Sequence, residues 1–349
     1  MSAGRHFLSN EKALSDLYLK DLQDKNAPHQ RYPTMRRMTV CHSGIRWRSW
    51  GWCKSTARTF SSKHALKPML PALCVVLFFL YGLVNKLRSF VAGIFLPQYH
   101  YPYVVALCFG QVLLSLFFLN LFHILGLAPL RPYNRPLAER VLVPAICSSV
   151  HAVLTMWAEA SGSYAGLSPL SLPLLPVITV GLSFVLKVTA LPSAHSFVLL
   201  SILTGSSLVF TASCGISVME PLEYVYTPLA VILLSLSLTW LAKAYEAEHR
   251  CLTADNQSSV LDVYYNLVVN QCWLLGLLWT LHPDSPLLVL SRGSWHSLLF
   301  HGYLLAILLL GMLLDFAIVM SALSISPLAA ALLHSARELV HPFVHMLGF

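Results

Sequence analysis

Charge is scarce in this 349-residue chain, in which charged residues make up 11% and hydrophobic residues 56%. Soluble domains carry about 25% charged residues, so the composition excludes an ordinary soluble protein. The sequence also lacks H-E-x-x-H and G-x-S-x-G motifs, and its eight cysteines include no C-x-x-C pair. These absences argue against a zinc protease, a serine hydrolase, a structural zinc site and a disulfide framework. We therefore expect a protein that is not an enzyme and that carries no cofactor.

Acidic residues are missing from the stretch between Gln30 and Lys67. Residues 1–68 also hold more than half of the 23 Lys and Arg residues of the chain. A long basic segment before a first membrane span is typical of a cytosolic N-terminus. Membrane topology therefore accounts for the positive charge, and we expect no nucleic-acid partner. We expect residues 1–68 to be a basic, disordered cytosolic tail.

Nine apolar segments follow the tail, between Met69 and Phe349. A hydrocarbon core of roughly 30 Å needs about 20 helical residues, and each segment is close to that length. The predicted spans are 69–87, 102–127, 141–160, 167–188, 194–212, 224–243, 261–281, 298–319 and 325–348. Within lipid, helices pair every backbone N–H and C=O internally. The sequence therefore predicts an all-α, polytopic membrane bundle over residues 69–349.

The distribution of Lys and Arg among the predicted loops indicates the topology. Taken together, the connections after spans 2, 4 and 6 hold more basic residues than those after spans 1, 3, 5 and 7, where Lys86 at the end of span 1 and Arg88 in the following loop are counted. This asymmetry predicts a cytosolic N-terminus, and nine spans then predict a lumenal C-terminus. Pro169, Pro173 and Pro176 all fall in span 4, so we expect that helix to be kinked.

Arg337 lies in the middle of the last predicted span. A charge there costs about 2.5–3.5 kcal/mol on insertion scales, so we expect it to face a polar cavity or to pair with Asp315 or Glu159. A guanidinium in a cavity suits a phosphate group, which it grips through two parallel hydrogen bonds. A structural ion pair, or a helix that does not cross the membrane, remains an alternative. Lys86 lies near the end of span 1, where its side chain can also reach the membrane surface.

Span 7 contains the polar and aromatic step Tyr264-Tyr265-Asn266. An aromatic ring and an amide at this spacing can stack on and hydrogen-bond to a flat heterocycle. Hydrogen bonding between helices explains the same residues equally well. Together with Lys86 and Arg337, these three residues are the candidate substrate-binding residues.

Several short motifs occur in the order found in one transporter family. They are Asn85-Lys86, Phe109-Gly110-Gln111, Leu167-Ser168 through Leu172-Pro173, Ala244-Tyr245, Tyr264-Tyr265-Asn266, and Ser326-Pro327-Leu328 through Arg337. Over about residues 70–349 the chain resembles the nucleotide-sugar transporters, solute carrier family 35 of the drug/metabolite transporter superfamily. Within that family it is most similar to the UDP-glucuronic acid/UDP-N-acetylgalactosamine branch.

The resemblance implies two inverted repeats of five helices, of which the last helix is missing here, around a central nucleotide-sugar site. It also implies a multi-pass protein of the Golgi or endoplasmic reticulum membrane. Such proteins are antiporters that exchange cytosolic nucleotide-sugar for lumenal nucleoside monophosphate. Tyr265 and Asn266 would contact the nucleotide, Arg337 would meet phosphate or sugar, and Lys86 would lie near the cavity mouth. The expected partners are the nucleotide-sugar, the lipid bilayer and, as an alternative to a monomer, a second copy of the chain.

The chain departs from the branch in span 4, where the family's basic L-R-R-F-S reads Ile178-Thr179-Val180-Gly181-Leu182. The paired arginines are absent, as is a tenth helix. Two alternatives therefore stay open. One is a non-transporting or truncated member of the same fold that acts as a scaffold or regulator, and the other is a transporter of a different organic anion.

Overall fold

The computed structural model describes residues 70–99, 103–160, 168–188, 193–213, 223–251, 259–282, 289, 291 and 295–346. The expected tail of residues 1–68 lies outside these ranges. Every regular element within them is a helix, and they contain no strand. The prediction of an all-α membrane bundle is confirmed.

Eleven α-helices can be followed along the described residues, together with one 3-10 turn at Leu172–Leu174. They are α1 (Leu70–Tyr99), α2 (Val104–Ile124), α3 (Arg135–Arg140), α4 (Leu142–Ala160), α5 (Ser168–Ser171), α6 (Leu175–Val185), α7 (Ala194–Ser213), α8 (Glu223–Cys251), α9 (Val260–Leu281), α10 (Leu298–Ser324) and α11 (Pro327–Met346). Each of the nine predicted apolar segments overlaps at least one of these helices.

Five of the described helices are long and apolar enough to cross a membrane, namely α1, α2, α7, α8 and α10. Shorter apolar stretches lie at Leu142–Ala158 in α4, at Leu172–Val185 and at Pro327–Ala336 in α11. Helix α9 is 22 residues long, but Asp262, Asn266 and Asn270 make one of its faces polar. The chain is therefore a multi-pass membrane protein, and several of its helices depend on neighbours to cover polar groups.

Helix α1 corrects the predicted boundary of span 1. The charges of Lys86 and Arg88 were expected to mark a loop, but the helix continues to Tyr99. Apolar packing beyond the charges carries it on, because Phe95 is fully buried and its ring centroid lies 5.4 Å from that of Phe300 on α10. The assignment of Arg88 to an outer loop is therefore wrong, and Arg88 is a residue of the bundle.

At the prolines of span 4 the regular α-helix is interrupted by a 3-10 turn. Helix α5 gives way to the turn at Leu172–Leu174, and α6 follows it directly at Leu175. Pro173 and Pro176 have no N–H to donate to the preceding turn, so regular α-helical hydrogen bonding is lost there. The segment is held against α8, where Thr179 Oγ1 donates to Ser235 Oγ at 3.2 Å.

Three helix pairs make the most extensive contacts, α4 with α8, α1 with α10 and α2 with α9. Two hydrophobic clusters lie among the helices. The first includes Phe95, Leu107, Leu267, Phe300 and Ile307, and the second includes Tyr81, Leu175, Leu238, Leu314 and Ala330. Members of both clusters line one cavity inside the bundle.

Candidate functional site

A cavity of about 110 Å³, with polar and ionisable groups set among apolar ones, lies where α1, α2, α4, α8, α9, α10 and α11 meet. A water molecule needs about 10–15 Å³ on the same measure, so the cavity has room for several waters. Its ionisable lining residues are Tyr81, Arg88, His151, Tyr226, Tyr264, Asp315 and His334. Ionisable groups within membrane-spanning helices are costly, and they mark substrate, ion or proton pathways.

Arg88 supplies the positive charge of this cavity. One guanidinium nitrogen, Nη2, donates to Met156 Sδ at 3.3 Å, and a thioether is a weak acceptor. Asp315, His151 and His334 line the same cavity. Four ionisable side chains from α1, α4, α10 and α11 are therefore gathered in one hollow.

Arg88 is placed by the period of its helix. Tyr81, Asn85 and Arg88 occupy positions i, i+4 and i+7 of α1, so they share one face, and all three line the cavity. Lys86 lies outside this stripe and is exposed. The i, i+4, i+7 spacing of polar residues in a largely apolar helix is the sequence signal that could have identified Arg88.

The two cavity histidines have defined hydrogen-bond partners. His151 Nδ1 lies 2.9 Å from the carbonyl oxygen of Ala230 on α8. Because a carbonyl only accepts, Nδ1 of His151 carries a proton, and Nε2 of the neutral ring is left as an acceptor. His334 Nδ1 lies 2.8 Å from Tyr81 Oη, and the two imidazole ring centroids are 6.1 Å apart.

Two further amides belong to the lining. Gln271 Nε2 donates to Ser148 Oγ at 2.7 Å, and Ser148 Oγ donates to the Pro144 carbonyl at 2.8 Å. Gln111 is only 7% exposed, and its Nε2 is a buried donor with no hydrogen-bond partner among the described residues. A buried N–H is satisfied by protein or by bound water in nearly all structures, so this amide marks a polar spot in the wall of the cavity.

Among the predicted site residues whose side chains the structure describes, Tyr264 lines this cavity and Lys86, Tyr265 and Asn266 do not. It is 3% exposed, and its ring meets that of Phe316 edge-on with centroids 5.3 Å apart. Tyr265 is half-buried and packs against the first hydrophobic cluster, outside the lining.

Asn266 lies at a contact between α9 and the connection that precedes α3. Its Nδ2 donates to the Asp262 carbonyl at 2.8 Å, and its Oδ1 accepts from the Asn134 backbone N–H at 3.1 Å. The Asp262 carboxylate accepts from the backbone N–H of Arg131 at 2.8 Å, and Asn270 Nδ2 donates to the Ala138 carbonyl at 2.8 Å. The polar face of α9 thus holds residues 131–138, to which Asn266 contributes its Oδ1 while its Nδ2 bonds within α9.

Arg337 lies within α11, but its side chain is outside the described residues, as is that of Glu159. Asp315, expected as a partner for Arg337, lines the cavity that Arg88 also lines. In the ranges that the structure describes, no three His, Cys, Asp or Glu residues come together as metal ligands would.

Comparison with known proteins adds no identity to this site. No protein-family profile matches the chain, and no curated protein matches it at a significant level. The function must therefore be argued from the chemistry of the cavity, which combines a guanidinium, a carboxyl group, two imidazoles and three amides in a membrane protein.

Proposed function

We propose that this protein is a membrane transporter for an organic anion and that the cavity around Arg88 is its solute site. The observation that carries the proposal is the Arg88 side chain among the cavity-lining residues, surrounded by membrane-spanning helices. A positive charge among membrane-spanning helices costs free energy, so such residues usually have a function. A guanidinium recognises carboxylate or phosphate through a planar fork of donors.

The surroundings of Arg88 support transport over a purely structural role. Arg88 shares a hollow with the amide side chains of Asn85, Gln111 and Gln271. The segment before α6, where a 3-10 turn interrupts the regular α-helix, contributes Ser171 and Leu172 to the lining. Irregular helices beside a central cavity are typical of secondary transporters, in which they frame the solute site.

Nucleotide-sugars are the substrate class that we propose, on the resemblance of the motifs quoted above to solute carrier family 35. In that case Arg88 binds the phosphates, a role that the resemblance implied for Arg337. Tyr264, which lines the same cavity, is the aromatic residue that contacts the solute. Exchange for a nucleoside monophosphate and residence in the Golgi or endoplasmic reticulum membrane belong to the same proposal.

A smaller organic anion is the second candidate, and the size of the cavity favours it. About 110 Å³ accommodates several waters or a small carboxylate or phosphate compound. A nucleotide-sugar requires the surrounding helices to separate before it can enter. The two candidates thus differ in how far the bundle must open.

Transport by purified full-length protein in proteoliposomes tests the proposal. The vesicles are loaded with UMP, and uptake of UDP-glucuronic acid, UDP-N-acetylgalactosamine and small phosphorylated or carboxylated anions is measured. We expect uptake of at least one anion, and we expect Arg88→Gln to lower it by at least about tenfold, because the cation that pairs with the solute is lost.

Arg135→Gln is the matched control, since Arg135 is an exposed arginine that pairs with Glu139 on the surface. Its uptake should equal that of the unaltered protein. If correctly folded protein takes up none of the anions, the transport proposal is overturned and the scaffold alternative is favoured.

A further inference from the structure

We propose that Gln271 is a specificity-determining residue of the cavity, and that its amide oxygen accepts a hydrogen bond from the ring N–H of a nucleobase. The inference rests on the proposed anion-transport function and deepens it, because it adds a contact that nucleotides make and small anions do not. It starts from the way in which neighbouring helices hold the Gln271 side chain.

The hydroxyl group of Ser148 sets the orientation of the Gln271 amide. Ser148 Oγ donates to the Pro144 carbonyl at 2.8 Å. A hydroxyl has only one hydrogen, so Ser148 Oγ accepts from its other partner, which is Gln271 at 2.7 Å. The group that faces Ser148 is therefore Nε2 of Gln271, and the oxygen Oε1 occupies the other branch of the amide.

The oxygen of this amide faces the cavity. Gln271 lines the cavity and is only 7% exposed. Within the described part of the chain no group donates a hydrogen bond to Oε1, yet Oε1 is not one of the fully enclosed atoms that lack a partner. The oxygen thus retains accessible surface, and the accessible surface of this buried residue lies on the cavity. A buried acceptor of this kind takes its hydrogen bond from a water or from a solute.

Three helices share the anchor of the amide. On α8, Ser237 Oγ donates to the same Pro144 carbonyl at 3.0 Å, and Ser237 is 4% exposed. Pro144 and Ser148 belong to α4, and Gln271 belongs to α9. Because these contacts hold Gln271 before a solute enters, less side-chain freedom is lost when the solute binds.

Arg88 and Gln271 contact the same helix at different depths. Gln271 bonds to Ser148 of α4, whereas Arg88 Nη2 donates to Met156 Sδ of α4. Ser148 and Met156 are eight residues apart, which at a rise of about 1.5 Å per residue is roughly 12 Å along the helix. The face of α4 between them also lines the cavity. One wall of the cavity therefore has a guanidinium near one end and a hydrogen-bond acceptor near the other.

This spacing suits an extended anion with a hydrogen-bond donor far from its charge. A uridine nucleotide has this form, because the phosphates and the imide N–H of the uracil ring lie at opposite ends of the molecule. Inorganic phosphate or a short carboxylate is too small to reach both groups.

Apolar side chains flank the acceptor. They are Leu267, one turn before Gln271 on α9, and Leu241, one turn after Ser237 on α8. A flat ring with apolar faces and a polar edge fits a mostly apolar pocket that contains a few fixed polar groups. The surroundings of Gln271 therefore favour a ring N–H as the donor.

Binding of UDP and of 3-methyl-UDP to purified full-length protein, measured by calorimetry, tests the inference. In 3-methyl-UDP a methyl group replaces the imide hydrogen. The unaltered protein should bind UDP about tenfold more tightly than 3-methyl-UDP, because methylation removes the donor and leaves Oε1 of Gln271 unpaired. Gln271→Met keeps a side chain of similar length without the amide. It should bind UDP about tenfold more weakly and should bind both ligands equally well.

Asn270→Leu is the matched control. Asn270 is the next residue of α9 and is also 7% exposed, but its Nδ2 donates to the Ala138 carbonyl outside the cavity. This variant should keep the tenfold preference for UDP over 3-methyl-UDP. A preference that disappears in both variants would mean that any buried amide of α9 affects binding through the fold, which contradicts the contact at Gln271.

The comparison of the two ligands on the unaltered protein needs no variant, so it does not depend on the folding of Gln271→Met. Equal affinity for UDP and 3-methyl-UDP, or an undiminished preference for UDP in Gln271→Met, overturns the inference. Uptake of a small anion by protein that binds no UDP also overturns it and leaves anion transport intact. If no anion is bound or taken up, both proposals are overturned.

Discussion

Tyr81 and His334 are joined by a 2.8 Å hydrogen bond, although 253 positions separate them in the chain. The bond connects α1 with α11, the first and last described helices, at the edge of the cavity. His334 is in turn next to His151, which is anchored to the Ala230 carbonyl of α8. The polar groups of the cavity are thus held by contacts between distant parts of the chain.

Removal of the Tyr81 hydroxyl should destabilise the bundle. In Tyr81→Phe, His334 Nδ1 loses its partner in a buried setting, and a cost of about 1–3 kcal/mol is typical of such a group. The free energy of unfolding in detergent measures the effect. Tyr224→Phe is the control, because Tyr224 is 60% exposed and should change stability little. Equal stability of Tyr81→Phe and the unaltered protein would contradict the importance of this bond.

Replacement of Arg88 by lysine separates charge from geometry. Lysine keeps the positive charge but has no planar fork of donors, so Arg88→Lys should bind a phosphate-bearing anion about tenfold more weakly. Competition for uptake by unlabelled anion measures this affinity. Arg135→Lys should leave it unchanged. An Arg88→Lys protein with undiminished affinity would show that the guanidinium geometry does not recognise the anion.

Asn266→Ala distinguishes two roles of the Tyr264-Tyr265-Asn266 step. In the structure Asn266 Oδ1 accepts from the Asn134 backbone N–H, so its loss should loosen residues 131–138 by about 1–3 kcal/mol. Hydrogen exchange at Asn134 should then be at least about fivefold faster. Anion affinity should change by less than about threefold. Asn120→Ala is the control, because Asn120 is exposed and bonds within its own helix.

A large loss of anion affinity in Asn266→Ala, with unaltered exchange at Asn134, would instead support the direct nucleotide contact that the family resemblance implies.

Gly311 marks the closest approach of α10 to α2. A Cβ added at Gly311 would collide with the side-chain amide of Gln111, which lines the cavity. Gly311→Ala should displace that amide and cost about 1–3 kcal/mol of stability. Gly302 lies in the same helix with no neighbouring atom within 4 Å of an added Cβ. Gly302→Ala should therefore be neutral or stabilising by up to about 1 kcal/mol, and equal effects at the two positions would contradict the contact.

Helix positions were predictable because lipid imposes a local requirement. A run of about 20 apolar residues must form a helix to satisfy its own backbone, and the prolines of span 4 must interrupt one. The end of α1 was not predictable in this way. From the sequence around it, Arg88 was predicted to lie at the start of a loop. The helix continues because Phe95 packs against Phe300, a contact that the local sequence does not indicate.

The candidate site was predictable only in part, since a polar residue in a helix can face a cavity or bind another segment of the protein. Tyr264 lines the cavity, whereas Asn266, two positions later, binds Asn134. Residues two apart on a helix point in different directions, so the two residues of this motif meet different surroundings.

The sequence by itself determined that this protein is an all-α, multi-pass membrane protein, because hydropathy and backbone hydrogen bonding depend on neighbouring residues alone. Only the tertiary structure decided that Arg88, Asp315, His151 and His334 share one cavity. These four residues come from four helices, and each enters the site through the face that its helix turns inward. No local pattern specifies which inward faces will meet, because that depends on the packing of the whole bundle.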